Sequence, residues 1–122
     1  MRAEGFQLAW IVVKNLDRAV AFYRDTVGME LKEFHPEFRW AEMSGVNGAI
    51  LGIGEEDPQT NIPAGSNAVV TITVADLDKA LMHFKSRGAK LIDEVVEIPG
   101  HVKMQTFADA DGNTLQLVQK FV

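Results

Sequence analysis

The stretch Val13-Lys-Asn-Leu-Asp-Arg-Ala-Val-Ala-Phe-Tyr23 (VKNLDRAVAFY) decides the fold, because the chain repeats it 61 residues later as Val74–Phe84 (VADLDKALMHF). Val, Leu, Asp and Ala match between the two copies, and Arg/Lys, Val/Leu and Tyr/Phe are near matches. Each copy places apolar residues at helical spacing behind an Asn or Asp that can cap a helix, and Gly28 or Gly88 follows to end it. The sequence therefore predicts one amphipathic helix in each half of the chain.

Runs of β-prone residues surround both predicted helices. Leu8–Val13 and Ala68–Val74 precede them, and further strand patterns separated by Gly-containing turns follow them. Each half therefore reads as one strand, one helix and three strands. The segment between the halves is rich in Pro, Gly and acidic residues, which is typical of a linker. We predict a single domain over 1–122, with module one at about 1–57, the linker at about 54–66 and module two at about 67–122.

The segment Asp109-Ala-Asp-Gly-Asn113 (DADGN) opens like a calcium-binding loop. A calcium loop needs a carboxylate at its twelfth position, which is Lys120 when counted from Asp109, and it needs a helix after it. The residues that follow alternate between apolar and polar, as in a β-strand. We therefore predict a hairpin turn in which Gly112 or Asn113 takes a positive φ.

Alternation along the strands predicts two unlike sheet faces. One parity is almost wholly apolar and should meet the helices. The opposite parity includes Trp10, Thr71, Thr73 and Gln116, a mixture too apolar for open water and too polar for a core, so it suits a cavity that binds a ligand. A second subunit or a loop could cover this face instead. The predicted helix-facing residues are Ile11, Val13, Leu51, Ile53, Val70, Ile72, Val74, Leu115 and Leu117.

The composition argues against several classes of function. The chain has no cysteine, so neither disulfides nor thiolate metal sites are available. The net charge is −5 with scattered Lys and Arg, which argues against nucleic acid as a partner. No segment has the pattern of a secretory signal or a membrane span, so we expect a cytoplasmic protein without a membrane partner. There is also no phosphate-binding glycine loop and no nucleophile elbow.

Two longer motifs carry a family resemblance. VKNLDRAVAFYRDTVGMEL (13–31) resembles the entry strand and helix of the vicinal oxygen chelate superfamily, and HVKMQTFADADGNTLQLVQ (101–119) resembles its closing hairpin. This superfamily includes glyoxalase I, extradiol dioxygenases, and bleomycin and fosfomycin resistance proteins. The resemblance covers essentially the whole chain. It implies an α+β fold of two tandem βαβββ modules whose mixed sheets curl into a cup, often completed by dimerisation. Ala110 stands where the family usually has proline.

The resemblance also implies where metal-dependent members bind a divalent ion. Their ligand positions fall on Leu8, Gly52, Val69 and Gln116, and of these only Gln116 could coordinate a metal. One amide oxygen cannot hold a catalytic divalent ion, because three or more donors are needed to outcompete water. A shift of one residue would bring Gln7 in place of Leu8, but it would turn the core residues of that strand outward. A divalent metal is therefore disfavoured, and no cofactor is predicted.

Several side chains remain as candidates for ligand contact or chemistry. Glu42 could face the cup and act as a general base, or it could lie on the surface. Arg39 has the opposite parity in the same predicted strand, so at most one of the two faces the cup. We place His35 in a loop and His83 beside the apolar stripe of the second helix. The predicted ligand contacts, whose aromatic members could stack on a planar or cationic molecule, are Trp10, Phe38, Trp40, Thr71, His101, Met104 and Gln116.

These observations favour a small homodimeric protein that binds an organic molecule in the cup without the family metal, a behaviour similar to that of bleomycin-binding resistance proteins. The alternative is a glyoxalase-like lyase, isomerase or dioxygenase. Such an enzyme would use metal-free acid–base catalysis by Glu42 or an unrecognised metal arrangement that involves Gln7, Glu42, His101 or Gln116. A third possibility is that the cup is filled by its own side chains and serves only assembly.

Overall fold

The chain forms two modules with the same order of elements. The structure, a computed structural model, describes residues 2, 4, 8–58, 62–65 and 70–121. Module one contains β1 (Ala9–Val13), α1 (Leu16–Ala21), β2 (Glu30–His35), β3 (Trp40–Ser44) and β4 (Ile50–Glu55). Module two contains β5 (Val70–Thr73), α2 (Leu77–Ser86), β6 (Lys90–Ile98), β7 (Val102–Ala108) and β8 (Thr114–Lys120). The predicted α+β fold of two tandem βαβββ modules is thereby confirmed.

Each module carries its own four-stranded mixed sheet. The strand orders are β1-β4-β3-β2 and β5-β8-β7-β6. In both sheets the first strand pairs in parallel with the last one, and the remaining pairs are antiparallel. Gln7, Ala68 and Val69, which the sequence analysis placed in or beside strands, lie outside the described residues. Among the residues that are described, no helix has the length and apolar character needed to cross a bilayer.

The two helices begin with equivalent contacts. The side chains of Asn15 and Asp76 cap α1 and α2 by accepting the backbone N–H three residues further on, at 2.9 and 3.1 Å. The first backbone N–H of each helix donates to a side chain from the last strand of the same module. The acceptor is Glu55 Oε2 at 2.9 Å in module one and Gln119 Oε1 at 2.7 Å in module two. The sequence repeat is therefore a structural repeat, although only α1 continues into a π-helical turn, Phe22–Thr26.

The helix-facing sides of both sheets share one hydrophobic cluster. The predicted helix-facing residues are confirmed. Those in β1, β4 and β8 are buried, and those in and directly after β5 are half-buried against the cluster. The opposite side of each sheet is here called its open face. Its side chains are partly exposed at several positions, which leaves room for a ligand or a second protein surface.

The stretch 109–113 is a turn, as predicted. The backbone N–H of Gly112 donates to the carbonyl oxygen of Asp109 at 3.1 Å, and β8 follows directly. The residue with the positive φ is Gly112, at 83°. Of the two residues predicted to take this conformation, Gly112 and Asn113, it is the glycine that does so. This is a strand-connecting turn, and no helix follows it as a calcium loop would require.

The carboxylate of Asp109 joins the two modules. Its Oδ1 accepts the backbone N–H groups of Asp111 and Asn113 at 3.0 and 2.9 Å. Its Oδ2 accepts the hydroxyl of Tyr23 at 3.0 Å and the side-chain amide of Asn113 at 2.9 Å. That amide also donates to the carbonyl oxygen of Val12 in β1, at 2.9 Å. A turn of module two is thus fixed to the helix and the first strand of module one.

We predict a loss of stability above pH 10 that depends on Tyr23, the only tyrosine in the chain. Burial, and then the charge of Asp109 beside it, raise the pKa of Tyr23 well above its ordinary value. The folded protein therefore keeps this proton while the unfolded chain loses it near pH 10. Stability should be unaffected below pH 10 and should fall by up to about 1.4 kcal/mol per pH unit above it.

Urea unfolding of the wild type and of Tyr23→Phe between pH 8 and 11, values chosen around the ordinary tyrosine pKa of about 10, measures this effect. The wild type should lose stability more steeply than the variant in the alkaline range. Equal slopes would show that the phenol is accessible to ionisation in the folded protein.

Candidate functional site

The open face of module one gathers aromatic and acidic side chains in two adjoining rows. Strand register places Trp10, Gly52, Glu42 and Glu33 side by side across β1, β4, β3 and β2. Residues directly opposite one another in a sheet share a face. The next row holds Gly54, Trp40 and His35 in β4, β3 and β2.

The two tryptophans lie over the backbone of β4. Their rings meet edge to face, with centroids 5.7 Å apart and planes at 62°. A Cβ atom built on Gly52 would meet Trp40 Cζ2 at 2.7 Å and Trp10 Cβ at 2.8 Å, and one on Gly54 would meet Trp10 Cζ3 at 2.9 Å. Only glycine leaves room for rings this close to the strand. Trp10, Trp40, Gly52 and Gly54 are called the tryptophan platform, on which Trp10 remains 39% exposed.

Glu42, the predicted general base, stands at the edge of this platform. Its Oε2 accepts the indole N–H of Trp40 at 2.9 Å. Among the described residues, no lysine, arginine or histidine forms an ion pair with it. The carboxylate is therefore held in place by an indole and remains available to a cation on the open face.

His35 was placed in a loop by the sequence analysis, and this was wrong. It is the last residue of β2, because the residue before a proline favours extended backbone and the turn Pro36–Phe38 starts directly after it. Its Nε2 lies 3.0 Å from Glu33 Oε1 and its Nδ1 lies 3.4 Å from Glu37 Oε1. The hydrogen bond with Glu33 raises the pKa of His35 above its ordinary value. The ring of Phe38, a predicted ligand contact that is 75% exposed, lies 6.1 Å from the imidazole.

Arg39 does not belong to the third strand. The prediction that Arg39 and Glu42 lie on opposite faces of that strand therefore does not apply. It precedes β3 and has a left-handed backbone with φ 56°. Its Nη1 donates to the carbonyl oxygen of Glu56 at 2.7 Å. The predicted strand included Arg39, whereas β3 begins at Trp40, so the alternation along the chain gave no sign of this turn. His83, on α2, lies with its Nε2 3.2 Å from the carbonyl oxygen of Asp25.

The open face of module two is neutral at the equivalent positions. Thr71, Gln116 and Thr106 form one row, in which the Gln116 amide nitrogen lies 3.5 Å from the Thr106 hydroxyl. Met104 occupies the neighbouring row. His101 is exposed in the turn before β7, where its carbonyl oxygen accepts the N–H of Phe121. The structure therefore divides the predicted ligand contacts between two sheets and brings only Trp10 and Trp40 together with Glu42.

A cavity of about 720 Å³ lies away from the platform, between β5 and the start of β4. Its lining includes Thr71, Thr73, Ile50 and Lys120. The volume falls in the range of small-molecule pockets. The described residues that line this cavity are mainly aliphatic. The platform brings together two indole rings and borders a carboxylate, groups that bind a ligand in a defined orientation. The platform is therefore the stronger candidate for the functional site.

The residues at the family's metal positions do not fit a metal. Leu8 and Gly52 have no side-chain donor, Gln116 offers one amide oxygen, and Val69 lies outside the described residues. A ligand side chain at position 52 would collide with the Trp40 indole and with the Cβ of Trp10. Within the described ranges, no group of three His, Asp or Glu side chains has an arrangement that could hold a metal ion.

Gly52, Gly54 and Glu33 were not among the predicted site residues. Gly52 and Gly54 alternate along a predicted strand, and an isolated glycine in a strand signals a close approach by another group. That signal was present in the sequence. The position of Glu33 opposite Glu42 depends on a register shift between Leu31 and Glu33, which no pattern in the sequence indicates.

Paired βαβββ modules, each with an exposed sheet face opposite its helix, define the class of small α+β proteins to which glyoxalases and bleomycin resistance proteins belong. The chain belongs to the Glyoxalase/Bleomycin resistance protein/Dioxygenase superfamily, whose family model matches residues 5–117. The resemblance inferred from the two sequence motifs is thereby confirmed.

Similar proteins cover nearly the whole chain. YurT of Bacillus subtilis (strain 168), described as an uncharacterized protein, is 29% identical over 121 residues, covering 90% of this chain and 94% of YurT. TnmS3, an antibiotic binding protein from Streptomyces sp. CB03234, superimposes with a TM-score of 0.82 at 25% identity, covering 98% of each chain. A superfamily member from Sphaerobacter thermophilus DSM 20745 gives a TM-score of 0.79 at 22% identity, covering 96% of this chain and 98% of that one.

Proposed function

We propose that the protein binds a small organic molecule on the open face of module one, without a metal at the family position, and that it does so in the cytoplasm. The tryptophan platform carries this proposal. Two large apolar rings lie partly exposed over a glycine backbone at the position where the family places a metal ligand. Exposed aromatic side chains of this kind bind ligands by stacking and by burial of apolar area.

The structural neighbour TnmS3 supports a binding function rather than a reaction. It is described as an antibiotic binding protein, and it matches this chain over 98% of its length. The carboxylate of Glu42 lies at the platform edge, and its hydrogen bond to the Trp40 indole gives it a positioning role in ligand binding. No described contact activates it for proton transfer.

Thermal unfolding of chelator-treated protein tests the proposal. We expect that Mn²⁺, Fe²⁺, Co²⁺, Ni²⁺ and Zn²⁺ leave the midpoint unchanged, whereas a true organic ligand at a hundred times its Kd adds about 2.7 kcal/mol, a shift of roughly 10 °C. A rise with one metal that Gln116→Ala abolishes would contradict the metal-free proposal and favour the enzymatic alternative. Failure of every compound in a broad library would contradict the binding function.

The open face of module two supports a second proposal, that a second copy of the chain covers part of it. Val96 and Ile98 of β6 are 54% and 48% exposed, and apolar groups this exposed on neighbouring positions favour an interface. Sedimentation velocity should show a dimer, and Val96→Glu should shift it toward monomer, with Glu97→Gln as the neutral control. A wild type that stays monomeric at high concentration would contradict the homodimer.

A further inference from the structure

We infer that the tryptophan platform has replaced the family's metal as the recognition element, and that it selects a flat aromatic molecule carrying a positive charge. This inference rests on the proposed function and names the ligand class. It depends on where the platform lies, on which charges border it and on how module two differs at the same positions.

The platform lies where the family's metal ligand in β4 would stand. Position 52 is that ligand position, and the space in front of its backbone is filled by Trp40 and by the first carbon of the Trp10 side chain. A molecule that occupies the centre of this face therefore meets indole rings instead of an ion. Because the rings lie edge to face with centroids 5.7 Å apart, a flat molecule can stack on one indole while the other indole borders it.

One carboxylate at the edge of the platform, that of Glu42, has no ion-pair partner among the described residues. Glu42 borders the Trp40 indole, and Glu33 is its direct cross-strand partner. Glu33 is hydrogen-bonded to His35 at 3.0 Å, so its charge is matched, whereas Glu42 forms no ion pair among the described residues. A cation over the indole rings would gain from their electron-rich faces and from the Glu42 carboxylate together.

Module two shows that the fold does not require these residues. Strand register makes Thr71 the counterpart of Trp10, Thr106 the counterpart of Glu42 and Ile92 the counterpart of Glu33. The same backbone thus forms with neutral side chains at all three places. The aromatic and acidic character is specific to one face, as expected if it selects a ligand.

Three tricyclic probes of similar size test the inference: 9-aminoacridine as the cation, acridine as the neutral ring and 9-anthracenecarboxylate as the anion. Trp10 and Trp40 are the only tryptophans in the chain, so quenching of tryptophan emission reports contact with the platform. Calorimetric titration gives the affinities independently of the optical signal. We expect the cation to bind about 10-fold more tightly than the neutral ring, and the anion to bind most weakly.

Glu42→Gln removes the negative charge at the platform edge while keeping the size and shape of the side chain. The glutamine side chain still offers an oxygen to the Trp40 N–H, so the platform should keep its geometry. The affinity for 9-aminoacridine should fall about 5-fold to 10-fold, while that for acridine should not change. Glu97→Gln on β6 removes the same charge from the other sheet and should leave all three affinities unaltered.

The outcomes distinguish this inference from the proposed function. If acridine or the anion binds as tightly as the cation, or if Glu42→Gln weakens all probes equally, the inference is wrong while binding itself stands. If a compound stabilises the protein without changing tryptophan emission, the ligand binds elsewhere and the platform is not the recognition element. If no probe and no library compound binds at all, the proposed function fails as well.

Discussion

Asp109→Ala is expected to lower the free energy of unfolding by about 3 kcal/mol or more. The carboxylate is largely buried and accepts hydrogen bonds from two backbone N–H groups, the Tyr23 hydroxyl and the Asn113 amide. Truncation removes the acceptor of all four hydrogen bonds in a site that water barely reaches, and each buried donor left unsatisfied costs about 1–3 kcal/mol. A loss of this size is a large part of the 5–15 kcal/mol that typically stabilises a domain.

Urea unfolding at neutral pH, with Asp78→Ala as the matched control, measures this loss. Asp78 is an exposed carboxylate whose nearest cation, Lys103 Nζ, lies 3.7 Å away, so its removal should cost less than about 1 kcal/mol. Tyr23→Phe should cost an intermediate amount, because it removes one of the four hydrogen bonds. If Asp109→Ala behaves like the surface control, the turn does not hold the modules together.

The repeat and the sheet faces could be predicted because their signals are local. Helix caps, closing glycines and alternating apolar residues reflect contacts within a few positions, and Asn15, Asp76, Gly28 and Gly88 all act as the pattern indicated. The acidic turn at Asp109 was recognised as a turn for the same reason. Its partners could not be predicted, since Tyr23 lies 86 residues away and no periodicity connects the two.

The candidate site was predicted only in part. The shared parity of Trp40 and Glu42 is visible in the sequence, whereas their hydrogen bond is known only from the structure. The contact between Trp10 and Trp40 requires β4 to lie between β1 and β3, which is a property of the strand order. The acidic partner Glu33 depends on a register shift in β2. Strand order and register are set by packing over the whole sheet, so a single sequence does not reveal them.

Gly52→Ala is expected to disrupt the platform and the ligand affinity together. The added methyl group would meet two kinds of atom: ring carbons of Trp40, which can move with the indole, and Cβ of Trp10, which is tied to the backbone of β1. The clash with Trp10 can be relieved only if β1 moves away from β4. Overpacking of this kind lowers the free energy of unfolding by about 1–3 kcal/mol. The affinity for 9-aminoacridine should fall by at least about 10-fold, because stacking on a displaced ring is lost.

Gly54→Ala and Gly45→Ala make this prediction specific. At position 54 the methyl group would meet only ring atoms, Cζ3 and Cε3 of Trp10 and Cε3 of Trp40, so the rings can swing away and affinity should fall with a smaller loss of stability. At position 45 nothing lies within 4 Å, so neither property should change. Urea unfolding and tryptophan emission of the three variants measure both effects. Unaltered emission and affinity in Gly52→Ala would show that the glycines do not shape the binding surface. The expected order of the variants would show that β4 lacks side chains at positions 52 and 54 so that two indoles can lie on it.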